Sequence, residues 1–239
     1  MMNKEEQGEY SLLYPVIDIF NHRFGAKVLW DIHDGNFVLS ITEGARNGEQ
    51  VFNNYAPKGN EECKLRVLKS QDVNPTKQSI VLMGYGFCIP DNPCDAVTVR
   101  LGKPPEEVYA ALRETFPLQF SSPEWTPDSS TFFLRGSHHY SGGYPHEIPC
   151  LRGIQPELFH AICAILSYTD SELNDEALVD AAISAILDRL REKRSAISRW
   201  DEELPPTPQN MRQTYAKHYR DGQLKILNEV ITELEGYFE

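Results

Sequence analysis

Along the chain the apolar positions change their rhythm partway. In the first hundred or so residues they come as short runs: Pro15 to Phe20, Ala26 to Trp30, Phe37 to Ile41, Val51-Phe52 and Ala96 to Leu101. Runs of that length, bounded by Gly, Asn, Asp and Pro, predict strands. Asp34-Gly35-Asn36 lies between two of them and carries the residues a tight hairpin turn needs. Gly44 to Gly48 closes a second turn, so residues 15 to 55 read as a small β-meander. Beyond Pro104-Pro105 the period becomes helical. Val108, Ala111, Leu112 and Thr115 make one face of a first helix, and Phe159, Ile162, Cys163 and Leu166 one face of a second. Ile183, Ile186, Leu187, Leu190 and Ile197 mark a longer helix ending near Trp200. Leu224, Leu227, Ile231, Leu234 and Phe238 mark a last one. Residues 117–155, rich in Pro, Gly and Ser, read as a long irregular connection.

Composition narrows the picture only a little. With 239 residues, 41% of them apolar and 24% charged, the chain can bury a core as one large domain or two small ones. No stretch approaches the roughly eighteen apolar residues of a membrane-spanning helix. The first nine residues are polar and acidic. The expectation is an intracellular protein, cytoplasmic or nuclear, with no membrane partner. Its net charge is −12, and the residues from Pro104 onward hold 12 basic against 22 acidic side chains. Such a balance argues against nucleic acid as a partner and suits a lysine-rich protein, although solvated acidic helices are the commoner meaning. The five cysteines, Cys63, Cys88, Cys94, Cys150 and Cys163, are odd in number and scattered. They suggest neither a disulfide framework nor a zinc site, and no metal is expected.

The candidate chemistry sits where strand-like runs end in polar residues. The first apolar run breaks into Asp18 and then Asn21-His22, and Gly48-Glu49-Gln50-Val51-Phe52 ends in Asn53-Asn54-Tyr55. Buried hydrogen-bonding groups are costly unless something uses them. Gly59-Asn60-Glu61-Glu62 follows, and later Leu82-Met83-Gly84-Tyr85-Gly86-Phe87. In that order, these stretches resemble D-x-x-N-H, G-E-Q-V-x-x-x-Y and S-N-E-x-L-x-x-Y-G-F. Those are motifs of SET-domain protein lysine methyltransferases, in the branch of the Rubisco large-subunit and fungal ribosomal-protein enzymes. Each motif alone is weak; three in order are a strong signal.

The resemblance implies an α+β fold: the C-terminal part of a β-rich SET fold, residues 1–103, followed by an all-α substrate-binding domain, residues 104–239. It implies S-adenosylmethionine as cofactor and a lysine-containing protein, ribosomal in the nearest branch, as substrate. Asn21 and His22 carry over as cofactor contacts, although a lone histidine is more often a satisfied core residue. Asp18 carries over as a contact to the substrate lysine, with a turn cap as its plain alternative. Tyr55 carries over as the catalytic phenol and Tyr85 as its partner lining the lysine channel; the plain alternative is that both are ordinary half-buried tyrosines. Two departures stand out. Residues 63–81, basic and polar, look inserted, either as a surface loop or as translated intron. The family's Gly-rich cofactor cradle and its upstream basic residue have no counterpart before Asp18, so the reading expects a chain truncated at its N-terminus that binds cofactor weakly. The rival reading is a non-catalytic helical module for a basic protein partner. A Ser or Cys hydrolase is a poor third, since no nucleophile elbow is present and His138-His139 lies in loop-like sequence. Nothing in the sequence speaks to oligomeric state.

Overall fold

The computed structural model describes residues 19–54, 59–60, 87–199 and 207–239. By compactness the chain divides into two units, Met1–Pro57 and Lys58–Glu239. Together the described elements make a mixed α+β protein of small sheets and four α-helices.

The first unit holds four strands: β1 (Asn21–His22), β2 (Val28–His33), β3 (Asn36–Ile41) and β4 (Phe52–Asn53). Strands β2 and β3 pair antiparallel, with Val28 opposite Ile41 and His33 opposite Asn36. Their turn is the expected Asp34-Gly35, at φ 51° and 76°. Two successive positive φ angles twist the chain the way the strands twist, which is why Asp-Gly serves here. The meander expected over residues 15–55 does not form. Strand β1 pairs with β4, and it pairs parallel, Asn21 beside Phe52 and His22 beside Asn53. A parallel pair cannot be closed by a tight turn. The β2–β3 hairpin and its flanks, residues 23–51, therefore serve as the crossover.

The second unit is built from β5 (Val97–Arg100), α1 (Glu106–Thr115), β6 (Thr131–Leu134), α2 (Pro156–Thr169), α3 (Asp175–Ser198) and α4 (Met211–Glu235). Helix starts follow ordinary capping chemistry: Pro105 precedes α1 and Pro156 opens α2. The Asn174 and Asn210 side chains accept hydrogen bonds from the Ala177 and Gln213 amides at the heads of α3 and α4. Strands β5 and β6 pair antiparallel, Val97 opposite Leu134. The core lies between this ribbon and the helices. Val97, Phe132, Leu134, Ile183, Ile226 and Ile231 are each 0% exposed within it.

Three expectations for this unit need correction. Residues 117–155 are not wholly irregular, since they supply β6 and a short 3-10 turn at Pro149–Leu151. The strand was hidden because Phe132-Phe133-Leu134 follows the polar Thr131 as an apolar run without alternation, as befits a strand buried on both sides. The inward face of α1 is Val108, Tyr109 and Leu112, while Ala111 and Thr115 are exposed. Tyr109 turns inward because its hydroxyl finds partners there: it donates to the Ser122 or Glu124 carbonyl, at 2.9 and 3.0 Å. Its ring meets Phe120 and Trp125 edge-on. Phe238 lies past the end of α4 and is half exposed. Helix α3 ends at Ser198; Trp200 lies outside the described residues, as does the supposed insertion at 63–81. The domain boundary read from the sequence at 103/104 falls inside the second unit, with β5 packed among the helices.

Candidate functional site

Two of the five candidate site residues lie among the described residues, and one ladder positions both. Strand β1 is only Asn21 and His22, and pairing with β4 sets them directly beside Phe52 and Asn53. The ladder runs one step further, where the Arg23 amide donates to the Asn53 carbonyl at 3.0 Å. Asn53 is 3% exposed, and its side-chain oxygen accepts the Asn54 amide at 2.7 Å. That buried amide fixes the backbone just where β4 leaves the ladder. Tyr55 is next but one in the sequence and lies outside the described residues, as do Asp18 and Tyr85.

Around the ladder the side chains divide by polarity. Asn21 is exposed, presenting an amide that can donate and accept; His22 is half-buried. Arg23, to which the sequence reading gave no role, lays its guanidinium 4.8 Å from the centre of the Phe52 ring. It also reaches Glu43 at 3.4 Å, and Lys27 approaches the same carboxylate at 3.8 Å. The signal for Arg23 was its place one residue after Asn-His, which alternation along β1 could have used. Alternation along β1 sends the Asn21 side chain to one face and His22 to the other, so the amide and the imidazole are presented to different surroundings.

The Gly59-Asn60 stretch of the third motif is also visible, in the second unit. Asn60 is 5% exposed, and Asp95, 1% exposed, holds it. Asp95 accepts the Asn60 amide at 2.9 Å and its side-chain NH2 at 3.1 Å. Asn60 returns to the chain by donating to the Ile89 carbonyl and accepting the Ile89 amide, both at 3.0 Å. Helix α4 closes over this hub through Gly222, where a Cβ would stand 2.8 Å from an Asp95 oxygen. The next residue, Gln223, is buried and donates to the Ala96 carbonyl at 2.9 Å. These bonds tie the Gly59-Asn60 stretch to the chain at Ile89 and Asp95.

His138 and His139 have structural partners as well. Glu229 on α4 accepts from the Ser137 amide and pairs with His138 Nδ1 at 3.0 Å. Burial works to raise the Glu229 pKa, yet the bonds from Ser137 and His138 outweigh it and hold the carboxyl below its usual value. His139 is 6% exposed, and its Nδ1 takes the Ser141 hydroxyl at 2.8 Å. Burial, with Arg135 and His138 nearby, pushes its pKa down to about 4, so the ring is neutral at pH 7. Among the described residues Cys150 and Cys163 form no disulfide. Among the described residues no three His, Cys, Asp or Glu side chains cluster as metal ligands, and no helix is long and apolar enough to cross a membrane.

No family model matches the chain. It is similar to a ribosomal lysine N-methyltransferase of Schizosaccharomyces pombe, 30% identical over 257 residues, which cover 95% of this chain and 39% of that protein. It is also similar to ribosomal lysine N-methyltransferase 1 of Saccharomyces cerevisiae, 30% identical over 117 residues, 49% of this chain and 17% of that protein. The chain thus spans less than half the length of the curated relatives it matches. Both similarities support a protein lysine methyltransferase family.

Proposed function

We propose that the chain carries the motif-bearing segment of a SET-type protein-lysine N-methyltransferase that uses S-adenosylmethionine and acts on a ribosomal protein in the cytoplasm or nucleus. The observation that carries this reading is the parallel β1–β4 pair, which brings the Asn21-His22 motif alongside the strand leading into Tyr55. The names of the two fungal relatives support the reaction class and the kind of substrate.

The donor set fits the cofactor. An exposed amide at Asn21 can answer both the ammonium and the carboxylate of an amino acid, and the half-buried His22 beside it offers a flat polar edge for a purine. When bound, S-adenosylmethionine supplies a methyl group on a positively charged sulfur. The chain's own residues have the remaining tasks. Asn21 and His22 hold; Asp18 and Tyr85 guide a lysine side chain; Tyr55 orients the neutral amine through its hydroxyl. Such positioning is effective because fixing reactants in line removes an entropic cost that solution chemistry must meet at each encounter. On this reading residues 1–103 belong to the catalytic domain and residues 104–239 to a helical substrate-binding domain, a functional division that differs from the compact units by placing β5 with the former.

The test is transfer of labelled methyl from S-adenosylmethionine to ribosomal proteins by the longest product of this gene, with cofactor affinity measured in parallel. Tyr55→Phe keeps the ring and loses one hydroxyl, so turnover should fall on the order of a hundredfold with affinity unchanged. Asn21→Ala should weaken cofactor binding first. Transfer by Tyr55→Phe at the parent rate would remove Tyr55 from the site.

A further inference from the structure

The surface between β5, α2 and α3 holds two cavities, of about 420 and 710 Å³. Both are lined by Val99, Arg100, Arg189 and Leu190, so they run into one another as a single groove. Its two halves differ in chemistry. At one end the floor is aliphatic: Ile162, Ile165, Leu166 and Ile186. At the other the rim is cationic, formed by Arg100, Arg189, Lys193 and Arg199, with Glu192 the one acidic lining residue among the described residues.

Among the described residues the rim's charges are only partly compensated. Glu192 is taken up by Arg189 at 2.8 Å. Arg100, Lys193 and Arg199 have no carboxylate partner among the described residues. A cluster of unpaired cations is unusual on a chain whose net charge is −12. Two cations outside the groove are paired at 2.7 Å, Arg191 with Glu235 and Lys217 with Asp221. Unmatched like charges repel one another, and a complementary partner relieves that repulsion.

We propose that this groove docks an acidic segment of another protein, one whose carboxylates alternate with aliphatic or aromatic side chains. The cationic rim meets the carboxylates and the aliphatic floor takes the apolar side chains. The groove's lining on α3 runs from Ala185 to Arg199. That is roughly 21 Å of helix at 1.5 Å per residue, the reach of about six residues of extended peptide. The aliphatic floor selects a peptide over a nucleic acid, whose phosphates would use the rim and leave the floor in water. The charge of the rim also sets this partner apart from a lysine-rich substrate, so the inference does not depend on the methyltransferase reading.

The experiment uses the full chain and a fluorescein-labelled peptide of about twelve residues in which Glu alternates with Leu and Phe, read by anisotropy. Binding should weaken about tenfold when salt rises from about 0.05 to 0.3 M, because surface charges are screened. Lys193→Glu combined with Arg199→Glu should weaken it at least about tenfold, and Ile165→Ser should do so by a similar factor. Replacing Leu and Phe of the peptide by Ser should cost as much as Ile165→Ser. Melting curves check that each variant is folded; should the double reversal unfold, Arg100→Gln with Lys193→Gln reads the same charge. The proposal is overturned if the peptide does not bind, if it binds the charge variants as tightly as the parent, or if single-stranded RNA of equal charge binds more tightly than the peptide through the same residues.

Discussion

The two units differ in where their apolar side chains go. Among the described residues, Ala26 is the single fully buried apolar residue of the strand unit, while the helical unit buries its own from Val97 through Leu234. In the β2–β3 hairpin, Leu29, Trp30 and Ile32 are 61%, 48% and 70% exposed. Yet this lightly packed unit holds Asn21 and His22, and the well-packed one holds none of the described candidates. A two-stranded hairpin is marginal by itself. Segments that bind and release ligands are commonly drawn from the less stable parts of a protein, with rigidity supplied elsewhere. The contrast teaches that the packing that holds this chain together and the residues proposed for its site lie in different units.

The largest expected effect tests that contrast directly. Phe132→Ala empties a fully buried ring site in the helical unit and should cost about 3 to 5 kcal/mol by denaturant melt. Ile32→Ala, on the exposed hairpin, should change stability by less than about 0.5 kcal/mol. Equal losses from the two would break the comparison.

Asp95→Ala sharpens it. The substitution strips the acceptor from the Asn60 amide, the Asn60 side chain and the Ala96 amide. Buried donors left without partners cost about 1 to 3 kcal/mol each, so a loss of about 2 to 4 kcal/mol is expected after relaxation. Amide exchange at Asn60 should accelerate at the same time. Full protection of Asn60 in the variant would show that the hub is not what anchors this stretch.

A smaller effect is set by pH. His139 titrates near 6.5 when unfolded and near 4 when folded. Between those values the unfolded chain binds the extra proton, so stability rises with pH across the window and falls on acidification. The loss from pH 7 to pH 4 should be on the order of 2 to 3 kcal/mol, at about 1.4 kcal/mol per pKa unit. His139→Gln should flatten this slope. Glu229, whose carboxyl is held below its usual value, has the same sign but acts lower, losing its contribution as pH falls through its folded pKa. A steep slope that survives His139→Gln would assign the titration to other groups.

Some of this was legible in the residues and some was not, for physical reasons. The Asp34-Gly35 turn was readable because it demands positive φ, a local property. Ile183, Ile186, Leu187 and Leu190 were readable because a long helix repeats its buried face. Strand β6 was not, since its partner β5 lies some thirty residues earlier and nothing local announces a long-range ladder. Tyr109 was left out of the α1 face because its hydroxyl is satisfied by a distant loop at Ser122 and Glu124, which no local signal announces. The parallel course of β1 and β4 was hidden for the same reason: pairing depends on the path taken between the strands, and each strand is two residues long. Of the candidate residues, Asn21 and His22 form β1 beside Phe52 and Asn53, whereas Asp18, Tyr55 and Tyr85 lie outside the described residues.

That parallel ladder has an evolutionary consequence. With Asn21 fixed to Phe52 and His22 to Asn53, the ends of the crossover are pinned whatever lies between them. The hairpin projecting from it is exposed at its tip and turns on Asp34-Gly35. Lengthening a closed loop adds only about 0.6 kcal/mol for each doubling. Residues 28–41 are therefore a cassette: lineages can lengthen, trim or recolour it to suit new neighbours while the Asn-His pair stays in register.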